Sequence, residues 1–217
     1  MIKNVVFDMD GTILNTIDDL YNSVNYALSQ CGYKSRTMSE VLSFVGNGVK
    51  LLIERALPSG FSKEEFDKCF IVFMEYYNVH KNDSTAPYEG ILELMAELKK
   101  KGISMSVVSN KFDAGVKELA NKLFNGYLPV AIGESATIKP KPNPSGVWYA
   151  LELMGAKREE SVYIGDSEVD FQTAQNSGLT FIGVSWGFRP RSLHESLGVQ
   201  YIADKPLEIV DILEQIK

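Results

Sequence analysis

Cysteine is scarce: Cys31 and Cys69 are the only two in 217 residues. Two isolated cysteines exclude a disulfide framework and lack the spacing of a zinc site. Both are expected to be reduced, buried helix residues without redox or catalytic duty. Basic charge is also short. Lys and Arg number 22 against 28 Asp and Glu, a formal net charge of −6. Nucleic acid and anionic membrane both reward clustered Lys and Arg, so neither is expected as a main partner. No apolar run nears the roughly 20 residues that cross a bilayer. Asp8 comes too early for a signal peptide, so a cytoplasmic location is expected. Histidine is limited to His80 and His194, both expected to be structural or solvated. No internal repeat or low-complexity tract is present.

The composition is 45% hydrophobic and 23% charged. That supports a sizeable core, with length for one large domain or a domain with a smaller insert. Ile2–Phe7 is rich in β-branched and aromatic residues and stops at Asp8-Met9-Asp10-Gly11, as a buried strand does. Residues 103–108, 161–164 and 180–184 follow the same pattern, stopped by Ser109-Asn110, Gly165-Asp166 and Ser185. Weaker strands are expected at 130–132 and 200–202. Helices are expected over 89–101, 145–154, 168–176 and 206–216, three of them followed by a Gly stop. This alternation predicts an α/β fold, a Rossmann-like parallel sheet with helices on both faces.

Residues 16–83 break the alternation. Four helices are expected there, over 16–30, 39–44, 48–57 and 62–80, with no strand. The expected organisation is a discontinuous core of 1–15 with 84–217 and an inserted helical domain of 16–83.

Four groups carry chemistry. On an extended backbone Asp8 and Asp10 point the same way. Two carboxylates that close need a cation between them or a proton on one. Gly165-Asp166-Ser167, with Asp170 four residues after Asp166, follows a strand and opens a helix. Asp166 there is a metal ligand or a helix cap. Ser109-Asn110-Lys111 is a cap or a phosphate site made by a hydroxyl and helix-start N–H groups. In 139–144, Lys-Pro-Lys-Pro-Asn-Pro, the prolines are expected to hold an extended loop. Its lysine is either solvated or a fixed ammonium facing phosphate. Each group follows or approaches the carboxyl end of an expected strand, where open α/β sheets bind ligands.

With these four motifs in order, the chain resembles the haloacid dehalogenase-like hydrolase superfamily along essentially its whole length. Asp8–Thr12, Ser109, Lys141 before Pro-x-Pro, and Gly165-Asp166-Ser167 with Asp170 are similar to that family's four motifs. Lys139 also precedes Pro-x-Pro, but Lys141 leads directly into a helix as the family's Lys does. Val45–Lys50, Glu54–Leu57, Thr85–Gly90 and Ser185–Arg189 resemble phosphoglycolate phosphatase-like members with a small α-helical cap. Where the family often has Asp-Ser after its first motif, this chain has Asn15-Thr16.

The resemblance implies a Mg²⁺-dependent phosphatase for a small phosphorylated metabolite. Asp8 is then the nucleophile and Asp10 the acid/base. Mg²⁺ is held by Asp8, the Asp10 carbonyl and Asp166, with Asp170 behind the metal shell. Ser109 and the N–H groups of Met9 and Asn110 bind phosphate, and Lys141 neutralises charge. Lys50 is the candidate for the far end of the substrate, and Arg189 either adds charge near the site or, the favoured reading, belongs to an edge loop. Alternatives on the same scaffold are a pyrophosphatase or nucleotide phosphatase and a β-phosphoglucomutase-like phosphotransferase. A monomer or weak homodimer is expected.

Overall fold

A computed structural model of the chain describes residues 1–216. It forms two compact units, Met1–Leu14 with Pro87–Lys217, and Asn15–Ala86. Lys217, the end of the expected core range, lies outside the described residues.

In chain order the strands are β1 (Asn4–Phe7), β2 (Leu14–Asn15), β3 (Ala86–Pro87), β4 (Ser104–Phe112), β5 (Val130–Glu134), β6 (Ser161–Gly165), β7 (Thr180–Val184) and β8 (Tyr201–Ala203). The helices are α1 (Ile17–Gln30), α2 (Met38–Phe44), α3 (Val49–Ala56), α4 (Lys63–His80), α5 (Ile91–Lys100), α6 (Asp113–Leu123), α7 (Ser145–Met154), α8 (Glu168–Ser177), α9 (Arg191–Ser196) and α10 (Glu208–Gln215).

Six strands of the first unit form one sheet in the order β5-β4-β1-β6-β7-β8. Every neighbouring pair is parallel. Both faces are covered, and the alternation of side chains explains how. Val5, Phe7, Met105, Val107, Val162 and Ile164 pack in one cluster with residues of α5, α6 and α10. Val6, Val108 and Tyr163, one position out of phase, pack in the other with residues of α7 and α8. A strand apolar on both sides is stable only between two helical layers. Each such side chain, when fully buried, contributes roughly 1.5–3 kcal/mol.

β1 lies at the centre, with β4 on one side and β6 on the other. The chain therefore leaves β1 in one direction and later returns to its opposite edge. Such a reversal opens a crevice at the carboxyl ends of the strands. Those ends carry Asp8, Ser109 and Asp166.

Several elements differ from expectation. No helix is expected over 113–123, yet α6 is there, with Val116, Leu119 and Ala120 buried at helical spacing. The two-residue strands β2 and β3 are too short for a periodic signal. β4 runs four residues beyond its expected stop at Val108, which bears directly on the site.

The second unit is helical. In α1, Leu20, Val24, Ala27 and Leu28 are buried at one-face spacing, as are Cys69, Phe73 and Tyr77 in α4. Thr37 with Glu40 and Ser62 with Glu65 form capping boxes that start α2 and α4. Cys69 is buried, but Cys31 is half-buried and sits just past the end of α1. Asp19, buried in the first turn of α1, accepts hydrogen bonds from Ser84 N, Thr85 N and Thr85 Oγ1 at 2.7–2.9 Å. That carboxylate ties residues 84 and 85 to the start of α1. Among the described residues, no helix is long and apolar enough to cross a membrane.

The two histidines differ in surroundings, His80 partly exposed and His194 buried. His80 Nδ1 lies 2.7 Å from Asp83 Oδ2. His194 is fully buried, with Nε2 3.0 Å from Val184 O.

Candidate active site

Asp8 is the first residue past β1, and its N–H donates to Ile164 O at 2.8 Å. That bond extends the β1–β6 ladder by one step and fixes where the Asp8 carboxylate begins. After Asp8 the chain turns. The Met9 carbonyl accepts from the N–H groups of Thr12, Ile13 and Leu14. Gly11 is held at φ +89°, and a Cβ there would stand 2.6 Å from Asp166 Oδ2. Only glycine allows both that backbone and that approach.

Asp8 and Asp10 engage different cations. Lys141 Nζ donates to Asp8 Oδ1 at 2.6 Å. Lys111 Nζ donates to Asp10 Oδ1 at 3.0 Å. The two acids, alike in sequence, therefore sit in different surroundings. Asp8 is buried and Asp10 is partly open.

Lys141 is the lysine at the site, and Lys139 is exposed. The Lys141 ammonium also donates to Asp170 Oδ1 at 2.7 Å and to the Tyr163 hydroxyl at 3.1 Å. Burial works to lower its pKa. Asp170 and Asp8 outweigh that and hold the ammonium charged well above its ordinary range.

The loop that carries Lys141 is not extended, as its three prolines suggested. It closes as a turn through Asn143 N and Pro140 O. The Asn110 side chain supplies the clamp. Its Oδ1 accepts from Lys141 N at 2.6 Å, and its Nδ2 donates to Lys141 O at 3.2 Å. The Asn110 side chain thus positions the lysine.

Ser109 and Asn110 do not open a helix. β4 continues to Phe112, which pairs with Glu134 after an irregularity beyond Val108. α6 starts only at Asp113. The phosphate site expected from helix-start N–H groups is therefore not built that way. Ser109, buried at the site edge, accepts from Lys111 N at 3.2 Å.

Asp166 follows β6, and Ser167, not Asp166, caps α8. Asp166 Oδ1 accepts from Thr12 Oγ1 at 3.2 Å, and Oδ2 accepts from Phe188 N at 2.7 Å. Gly187 lets this loop lie against Asp166, where a Cβ would overlap the carboxylate carbon and the Gly11 carbonyl. Asp170 closes the capping box. Its Oδ2 accepts from Ser167 N and Oγ, and its Oδ1 from Lys141 and Tyr163. Arg189 lies nearer than an edge loop implies. Its Nε is 3.2 Å from Glu168 Oε2, and its charge lowers the pKa of Asp166.

Asp8, Asp166 and Asp170 present carboxylate oxygens within 4.8 Å of one another, all buried. One ammonium, Lys141, faces three carboxylates. Burial, followed by repulsion from Asp170, pushes Asp8 well above the usual carboxylate range. The same two causes push Asp166 up to about 7, against the pull of Phe188 N–H. A divalent cation would cancel the remaining repulsion, and an all-oxygen donor set suits a hard ion such as Mg²⁺. Asp170 is saturated by protein donors, so Asp8 and Asp166 are the carboxylates that fit as ligands.

Three contributors escape a sequence reading. Tyr163 looks like a core aromatic, and its hydroxyl shows only in space. Lys111 depends on the extra length of β4. The Phe188 N–H comes from the Ser185–Arg189 loop, whose likeness to the family gives no hint that a backbone N–H reaches Asp166.

A profile of haloacid dehalogenase-like hydrolases matches residues 5–184. The chain is 30% identical over 190 residues to a phosphoglycolate phosphatase of Pseudomonas fluorescens, covering 85% of this chain and 70% of that protein. It is 30% identical over 197 residues to one from Neisseria meningitidis, covering 88% and 84%. A crystal structure from Lactobacillus delbrueckii subsp. bulgaricus, provisionally assigned as a phosphoglycolate phosphatase, superposes with a TM-score of 0.93 at 35% identity, covering 97% and 98%. The chain belongs to the haloacid dehalogenase-like hydrolase family.

Proposed function

We propose that this phosphoric monoester hydrolase depends on Mg²⁺, works through an aspartyl-phosphate on Asp8 and takes 2-phosphoglycolate as substrate. The observation that carries the proposal is the separation of the two acids. Asp8 lies buried against Lys141 beside Asp166, while Asp10 stands apart on Lys111. A nucleophile and a proton carrier need different environments, and here they have them.

The Asp8 carboxylate forms a bond to phosphorus as the bond from phosphorus to the leaving oxygen breaks. Asp10 gives its proton to that oxygen. Asp10 then takes a proton from water, whose oxygen attacks phosphorus and releases Asp8 and inorganic phosphate. Lys141 holds Asp8 in place and offsets charge on the phosphate oxygens. Ser109 and the N–H groups of Met9 and Asn110 hold those oxygens. Asp8, Asp166 and the Asp10 carbonyl hold Mg²⁺, which supplies charge neutralisation when bound.

Phosphate release from a panel of phosphorylated metabolites tests this reading. 2-Phosphoglycolate is expected to give the highest kcat/KM. EDTA is expected to stop turnover and Mg²⁺ to restore it; turnover that persists in EDTA overturns the metal dependence. Stability gives an independent readout. Asp166 holds its proton more tightly folded than unfolded, so its contribution is fully present below the ordinary carboxylate pKa. It is lost as pH rises through about 7. Metal-free protein is therefore expected to melt lower at pH 8 than at pH 6, with Mg²⁺ narrowing the gap.

We assign substrate choice to the helical unit, which carries the Val45–Lys50 and Glu54–Leu57 segments. Lys50 is exposed on the first turn of α3, after Gly48, and lines a shallow groove with Glu54, Phe61, Lys63 and Phe66. Its ammonium suits the carboxylate of 2-phosphoglycolate. Lys50→Ala is expected to raise KM for that substrate by about 10-fold, the scale of one charge-assisted contact, with little change in kcat. An unchanged KM removes Lys50 from the site.

A further inference from the structure

Lys111 is a lysine whose ammonium is turned inward. Its side chain is only 9% exposed, and its Nζ lies 3.0 Å from Asp10 Oδ1. The placement has a cause in the backbone. β4 runs on past Val108 to Phe112, so Ser109 and Lys111 both belong to this strand, two residues apart. The Lys111 N–H also donates to Ser109 Oγ, which ties the two together. The aliphatic stem packs over α6 at Gly115, where an added Cβ would stand 3.4 Å from Lys111 Cδ. A long flexible side chain is thus led along a packed path to the Asp10 carboxylate.

We propose that Lys111 is the positioning residue of Asp10. It binds Oδ1 and so leaves Oδ2 to carry the proton in both half-reactions. The inference rests on the assignment of Asp10 as acid/base. In the first half-reaction the Oδ2–H bond breaks and the proton goes to the leaving oxygen as the P–O bond to that oxygen breaks. In the second, Oδ2 takes a proton from the attacking water. Without Lys111 the carboxyl turns about its own axis and the proton is misdirected. Misplacement of a reacting group by about 1 Å costs on the order of 100-fold.

Phenyl phosphate and 4-nitrophenyl phosphate provide the test. The two esters are nearly alike in size, and neither carries a carboxylate. Phenolate needs a proton to leave, whereas nitrophenolate leaves without one. kcat/KM covers steps only through the first irreversible one, the phosphorylation of Asp8. Lys111→Met is expected to lower kcat/KM for phenyl phosphate by on the order of 10- to 100-fold and for 4-nitrophenyl phosphate by about 3-fold or less. Lys111→Arg is expected to recover most of the loss. Lys111→Gln serves as the second neutral variant should Lys111→Met fail to fold.

Equal losses on the two esters would show that Lys111 serves phosphate binding or folding, and would overturn the inference alone. So would wild-type rates in both neutral variants. Wild-type protein that releases phosphate neither from these esters nor from 2-phosphoglycolate overturns the phosphatase reading and this inference with it.

Discussion

Asp8→Asn is expected to lower phosphate release by on the order of 10⁴-fold or more, without loss of fold. The amide keeps the shape of the carboxylate but cannot attack phosphorus usefully. Its oxygen can still accept from Lys141, and the backbone bond from Asp8 N to Ile164 O is untouched. The substitution also removes one of three buried carboxylates that repel one another. The melting temperature of metal-free Asp8→Asn is therefore expected to match or exceed that of the wild type. Acid-quenched wild-type protein should show a phosphoryl group on Asp8 by mass spectrometry, and the variant none. Robust turnover by Asp8→Asn sinks the mechanism.

Much of this site is legible in the sequence because each acid sits where a strand must stop. Phe7 and Ile164 end apolar runs that only a two-faced parallel sheet explains. The acids after them therefore meet at one edge. Thr37 and Ser62 announce their helices by capping chemistry that is wholly local. The misreadings have a common physical source. Ser109-Asn110-Lys111 is polar and turn-prone, so local propensity ends the strand at Val108. Tertiary pairing of Phe112 with Glu134 overrides that preference. The prolines of 139–144 imply an extended loop, but Asn110, some thirty residues upstream, clamps Lys141 into a turn. The choice between Lys139 and Lys141 is similarly non-local. Both precede Pro-x-Pro, and likeness to the family favours Lys141, but only in space does one of them find Asp8, Asp170 and Tyr163 around its ammonium.

Lys141→Met is expected to lower kcat by on the order of 10²- to 10³-fold and to destabilise the protein at neutral pH. The Lys141 side chain is 5% exposed, and its ammonium makes three contacts of 2.6–3.1 Å. Removing one partner of such a buried set leaves uncompensated charge, a loss of about 3–5 kcal/mol. The pH dependence separates this cause from simple loss of packing. With Lys141 gone, Asp8 keeps burial, Asp170 and Asp166, the influences that raise its pKa. Its folded-state pKa then lies further above the unfolded value. Stability from that proton is fully present below the unfolded pKa and is lost as pH rises through the folded one. The variant should therefore melt closer to wild type at pH 5 than at pH 8, measured without metal. A deficit independent of pH would mean that the methylene stem, and not the charge, holds the site. Lys139→Met, at an exposed position on the same loop, is expected to change neither activity nor melting temperature. The pair of variants thus tests in one experiment which lysine faces Asp8.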